Sequence, residues 1–178
     1  TSTVTISDAG GTAMNASDLS AIGAKTSGDV TVTNAAAISG TGTEVTAALI
    51  TADTLVVLNT ANTPVTITNA INAATGLNIA GVNNATAVFQ GGISDEISNL
   101  ADSGAITAAL TAIKNDDGDV EITISDAAET AMNASDLSAI GAATTGDVTV
   151  TNAAAISGTA EQVTAALVTE DSLVVAAT

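Results

Sequence analysis

The chain contains no cysteine, histidine, arginine, tryptophan or tyrosine, and only one phenylalanine, one proline and two lysines in 178 residues. Each absence closes off a class of protein. Without cysteine, neither disulfides nor thiolate metal sites hold the fold. Without histidine, cysteine or tyrosine, and with Lys25 and Lys114 far apart, acid-base chemistry would rest on carboxylates alone, so no enzymatic activity is expected. Glycoside cleavage by paired carboxylates is disfavoured too, because there are no aromatic platforms to hold a sugar. Two cations against nineteen acidic residues exclude nucleic-acid binding through phosphates and polybasic docking on an anionic membrane. No apolar run reaches the roughly eighteen residues of a membrane-spanning helix, so no membrane insertion is expected.

A chain of this length ordinarily anchors its core on a dozen or so aromatic rings, and this one has Phe89 alone. Its core must be assembled from Ala, Val, Ile, Leu and Thr, and such a core is thin. Thin cores are viable when short layers stack and each buries its apolar face on the next. The net charge of −17 favours solubility and suits salty or divalent-rich surroundings. Scarce lysine and absent arginine also leave few sites for trypsin-like proteases. Both traits point to a secreted, extracellular or cell-surface protein. No basic and apolar leader precedes Thr1, so the sequence reads as an excerpt or a processed chain.

What is present is repetition. GDVTVTNAAAISGT stands at residues 28–41 and again at 146–159. Residues 1–60 align without a gap on 119–178, with about three-quarters of positions identical. The middle segment is more diverged, but PVTITNA at 64–70 echoes TVTISDA at 3–9. The expected organisation is therefore a repeat unit over 1–60, a diverged unit over 61–118 and a second copy of the first over 119–178, in one continuous elongated array.

Within a unit, period-two alternation predicts short strands over 4–7, 30–33, 55–58, 65–68, 120–125 and 148–151. Between them lie helical signals. In NASDLSAIG, Asn15 or Ser17 is placed to cap, Leu19 and Ile22 share a face, and Gly23 is expected to close the helix in a left-handed conformation. In TAEQVTAALV, Thr159 and Gln162 have capping-box spacing. The expected grammar is strand, short helix, strand, short helix, with Val4, Val30 and Leu55 spacing one coil at roughly 25 to 30 residues. The fold expected is a repeat solenoid of parallel β-strands with short helices. A chain of tandem small β-sandwich domains is the alternative. Val30, Val32 and Ile38 are expected inward, and Thr31 and Thr33 outward.

Some stretches invite chemistry. KNDDGDVE gathers Asn115, Asp116, Asp117, Asp119 and Glu121 around Gly118, hard oxygen donors on a tight turn of the sort calcium takes. The pattern falls short of an EF-hand, and an Asn-Asp-Gly turn leading into a strand explains it equally well. Asp8, Asp18 and Asp29 recur as Asp126, Asp136 and Asp147, either as ion-binding ladders or as turn and cap residues. SGTGTEV at 39–45 begins like a phosphate-cradling loop, but its twin SGTAEQV loses the second glycine, and a turn plus helix cap is the better reading. Thr-x-Thr pairs on the strands resemble the ranks of ice-binding solenoids, although LVVL at 55–58 interrupts them. Asn15, Asn84 and Asn133 stand in Asn-x-Ser/Thr sequons.

The TVTISDA, ASDLSAIG, GDVTVTNAAAISGTAEQVTAAL and LVV blocks resemble the Thr-, Ala- and Asp-rich tandem repeats of very large secreted surface proteins of bacteria, particularly cyanobacteria. That resemblance implies a segment of a surface layer, sheath or filament whose partners are further copies of itself. A calcium-dependent adhesin or ligand-binding module, with a glycan or surface ligand, is the alternative. Many such families bind calcium through a glycine- and aspartate-rich nonapeptide, which this sequence does not contain.

Overall fold

In the computed structural model, residues 2–51, 56–169 and 174–176 are described. They form an α/β protein of parallel sheets and short helices, divided into two compact units, one of residues 1–70 and 78–90 and the other of 71–77 and 91–178.

The first unit runs β1 (Val4–Ile6), β2 (Ala13–Asn15), α1 (Ala16–Gly23), β3 (Val30–Val32), β4 (Ala37–Gly40), α2 (Gly42–Leu49), β5 (Val56–Leu58) and β6 (Thr63–Ile67). Helix α3 (Ala73–Ala80) follows, its residues 73–77 belonging to the second unit and 78–80 to the first, and β7 (Ala85–Val88) completes the first unit. Two parallel sheets result, β1-β3-β5 and β2-β4-β6-β7, each with its strands in chain order. Val4, Val30 and Val56 lie side by side, as do Ile6, Val32 and Leu58, so one pass through the sheet takes 26 residues. Parallel neighbours need a crossover of a dozen or more residues; here the second sheet and a helix supply it.

The second unit repeats the pattern with β8 (Ile93–Asp95), α4 (Ile97–Leu100), β9 (Ala101–Asp102), β10 (Ala105–Ile106) and α5 (Ala108–Asp116). It continues through β11 (Ile122–Ile124), β12 (Ala131–Asn133), α6 (Ala134–Gly141), β13 (Val148–Val150), β14 (Ala155–Ser157), α7 (Ala160–Leu167) and β15 (Val174–Ala176). Strands β8, β11, β13 and β15 form one parallel sheet and β12 and β14 another, while β9 and β10 pair as a small antiparallel hairpin.

The expected strands are present, with Leu55 outside the described residues. The expected grammar is corrected: in the passes through α1, α2, α6 and α7 two strands precede the helix, since β2, β4, β12 and β14 form where only turns and caps were expected. Helix closure is corrected as well. Gly23 is the last helical residue of α1, and the chain leaves through Ala24 in right-handed conformation at φ −65°. Val30, Val32 and Ile38 are buried as expected, whereas Thr31 and Thr33 are only half-exposed because neighbouring strands flank them. Phe89, the single aromatic, is buried in the first unit.

Glycine in the duplicated motif is set by close approach. A Cβ on Gly146 would meet the carbonyls of Asp119 and Val120, the latter at 2.7 Å, and one on Gly28 would lie 2.6 Å from the Ser2 carbonyl. A Cβ on Gly40 or Gly158 would lie 2.9 Å from the Cβ of Ala16 or Ala134. Backbone therefore packs on backbone between successive passes. This is how layers so poor in large side chains fill their volume.

Candidate functional site

The calcium candidates are spread along a helix end and a turn. Asn115 and Asp116 finish α5, Asp117 is its C-cap and is buried, Asp119 lies in the following turn and Glu121 precedes β11. The Asp117 N–H donates to the Ile113 carbonyl at 2.9 Å, and the Glu121 carbonyl accepts from Ile93 N–H at 2.9 Å. Among the described residues, no group of three or more His, Cys, Asp or Glu side chains is gathered as a metal would need.

Other carboxylates and amides have work of a different kind. Three acceptors reach back one pass to the N-terminus of an earlier helix, where backbone N–H groups lack intrahelical partners. Asn69 Oδ1 accepts from Gly42 N–H at 2.8 Å, Asp95 Oδ2 from Ala73 N–H at 2.9 Å, and Asp126 Oδ2 from Ile97 N–H at 2.7 Å. All three stand at or just past the end of a strand in the pattern Ile-Ser/Thr-Asp/Asn: ITN at 67–69, ISD at 93–95 and ISD at 124–126. The related VTN sites serve the opposite polarity. Asn34 Nδ2 donates to the Asp8 carbonyl and Asn152 Nδ2 to the Asp126 carbonyl, each at 2.7 Å. Hydroxyls add rungs: Thr33 Oγ1 donates to the Ile6 carbonyl at 3.0 Å and Thr151 Oγ1 to that of Ile124 at 3.1 Å. These side chains tie each pass to the one before.

The glycine loop of residues 39–45 is a helix cap. Thr41 and Glu44 form a capping box at the start of α2, with Thr41 N–H donating to Glu44 Oε2 at 2.8 Å, and Asn69 takes the neighbouring N–H of Gly42. The Thr41 backbone N–H, then its hydroxyl, hold the Glu44 carboxyl below its ordinary value. In the second copy Thr159 and Gln162 form the expected box at α7. Asn15, by contrast, is the N-cap of α1 without a side-chain capping bond; its Nδ2 donates instead to Asp18 Oδ2 at 3.3 Å. Of the sequon residues, Asn84 has its Nδ2 committed to the Leu58 carbonyl at 2.7 Å.

The threonine rank is short. Thr5 and Thr31 pair in register and the next position is Val57, while in the other unit Ser94, Thr123 and Thr149 give way to Val175. Both valines are exposed.

The two copies of β1-β2-α1 differ in what covers them. TAMNASDLSAIGA occurs at 12–24 and at 130–142, yet Ile22 is 37% exposed and its twin Ile140 is 0%. Asp8 and Asp18 are exposed; Asp126 and Asp136 are buried, and Asp136 Oδ1 accepts from Gly104 N–H at 2.5 Å. Sequence reasoning recognised the recurrence of these aspartates but could not see that partners more than twenty residues away decide their role. The available signal was the repeated Ile-Ser-Asp tripeptide.

No protein-family model, no curated protein and no solved structure matches the chain. No helix among the described residues is long and apolar enough to cross a membrane.

Proposed function

We propose that the chain is a structural repeat segment, a solenoid of stacked strand-strand-helix passes that builds an extracellular surface layer, sheath or filament. The observation that carries the reading is the in-register parallel stacking of successive passes, Val4 on Val30 on Val56 and Ile93 on Ile122 on Val148 on Val174, reinforced by the side-chain ladder between them. Asn34, Asn69, Asp95, Asp126 and Asn152 all serve that ladder. A carboxylate engaged on a helix N-terminus stabilises by roughly 1 kcal/mol, and Asp95 and Asp126, with the amide of Asn69, do this at three successive helices without aromatic anchors or disulfides. Acidic composition and few basic cleavage sites suit such an array to an exposed location in salt.

Negative-stain microscopy of the native material, with immunogold labelling of the chain, tests the reading. Labelled fibres, sheath or lattice outside the cell support it. Discrete compact particles would contradict it, and glycan binding abolished by a chelator would favour a calcium-dependent adhesin instead.

A further inference from the structure

The face formed by β1, β2 and α1 is an uncovered duplicate of a face that is covered elsewhere in the same chain. Its twin, formed by β11, β12 and α6, carries the same thirteen residues from the threonine before the second strand to the alanine after the helix. On that twin, residues 91–107 supply a strand, a short helix and a hairpin. Strand β8 pairs with β11, Ile93 beside Ile122 and Asp95 beside Ile124. Ile93 N–H donates to the Glu121 carbonyl and Ser125 N–H to that of Asp95, both at 2.9 Å. Ile97 N–H meets Asp126 Oδ2 at 2.7 Å, and Gly104 N–H, on a turn held at φ +80°, meets Asp136 Oδ1 at 2.5 Å. Helix α4 and strands β9 and β10 lie against α6. Under that cover Met132, Leu137 and Ile140 are buried to 2% or less.

On the duplicate face the same groups are present, and among the described residues no counterpart of the covering segment meets them. Strand β1 is a sheet edge, with the Thr3 carbonyl and Ser7 N–H standing where Glu121 and Ser125 are paired. Asp8 and Asp18 replace Asp126 and Asp136. A concavity of about 410 Å³ opens there, lined by Thr5, Ile6, Asp8, Met14, Asp18 and Ile22 among others. Because residues 12–24 and 130–142 are identical, the difference in burial between Ile22 and Ile140 and between Asp18 and Asp136 follows from the covering segment.

We propose that this face is a docking site for one further repeat unit of the 61–118 kind, whose counterpart of residues 91–107 would seat on it as 91–107 seats on β11 and α6. The occupant is an additional unit rather than the 91–107 of a second molecule, because that segment already covers its own chain and moving it would uncover as much as it covered. The identity of the occupant rests on the stacked-repeat reading.

The test is a chain extended by a second copy of residues 61–118 joined ahead of Thr1. Hydrogen exchange at residues 4–22 should slow to the rate of their twins at 122–140, and Asp18→Ala, nearly silent in the original chain, should lower the melting temperature as much as Asp136→Ala does. Exchange at 4–22 unchanged from the original chain would overturn the proposal, as would equal protection from a unit whose 91–107 counterpart is scrambled. Should the extended chain not fold, residues 91–107 alone on a Gly/Ser linker carry the same donors and are judged by the same readouts. Protection at 4–22 without native fibres would leave the docking site standing and remove the filament reading, so the two fail separately.

Discussion

Asp126 Oδ2 accepts the backbone N–H of Ile97 at 2.7 Å across 29 residues of sequence, both partners being buried. Asp8, its counterpart in the first copy, is exposed and makes no such contact with a described residue. Asp126→Ala leaves a buried N–H unpaired and should cost about 1 to 3 kcal/mol, whereas Asp8→Ala should stay within about 0.5 kcal/mol. Urea unfolding of the two variants checks this, and equal losses would contradict the assigned roles.

The apolar half of the same comparison uses Ile140 and Ile22. Truncating the fully buried Ile140 to alanine should cost about 2 to 5 kcal/mol through lost transfer energy and a residual cavity. Ile22, more than a third exposed, should cost under about 1.5 kcal/mol. Thermal melts of both variants decide the matter, since identical sequence around the two residues removes local propensity as an explanation.

Sequence alone made much of this architecture legible, for a physical reason in each case. Val30 and Val32 alternate with threonine, and β-branched alternation is what a half-buried strand needs, so β3 and β13 were readable. Thr159 and Gln162 announce a capping box because both partners lie within one turn. Strands β2 and β4 were not readable: AMN and AISG are three and four residues long and poor in β-branched residues, and they are strands because parallel neighbours pair with them. The closure of α1 misled because glycine permits a left-handed cap without requiring one. At the candidate site, the recurrence of Asp8 and Asp18 and the Ile-Ser-Asp tripeptide were visible, but nothing local marks the backbone amide that such a carboxylate bonds, because it lies more than twenty residues away.

Close approach between passes predicts an asymmetry among glycines. Gly146→Ala places a Cβ against the Asp119 and Val120 carbonyls, which are backbone and cannot swing away, and should cost about 1 to 3 kcal/mol or more. Gly118→Ala, whose nearest neighbour would be the Lys114 carbonyl at 3.8 Å, should change stability by less than about 0.5 kcal/mol. Guanidinium unfolding midpoints distinguish the two.

Glu44 gives a pH signature that the second copy lacks. Its pKa in the folded chain lies below 4.5, lowered by the Thr41 N–H and hydroxyl, so its stabilising contribution is complete above that value and is lost as pH falls through the folded pKa. Gln162 forms the same capping box without a titrating group. The difference in melting temperature between the original chain and Glu44→Gln should be largest near neutrality and shrink as pH falls through the lowered Glu44 pKa. A difference constant from pH 3 to 7 would show that the charge contributes nothing to the cap.

The proposed stacking of successive passes into a solenoid is tested most directly by length. Small-angle X-ray scattering on chains carrying one, two and three additional periods of residues 1–118 should show the maximum dimension rising in equal steps of about 20 to 25 Å at constant cross-section, from a strand spacing of about 4.8 Å. Growth of the cross-section with added periods, or a flexible string of beads with no constant step, would contradict the account.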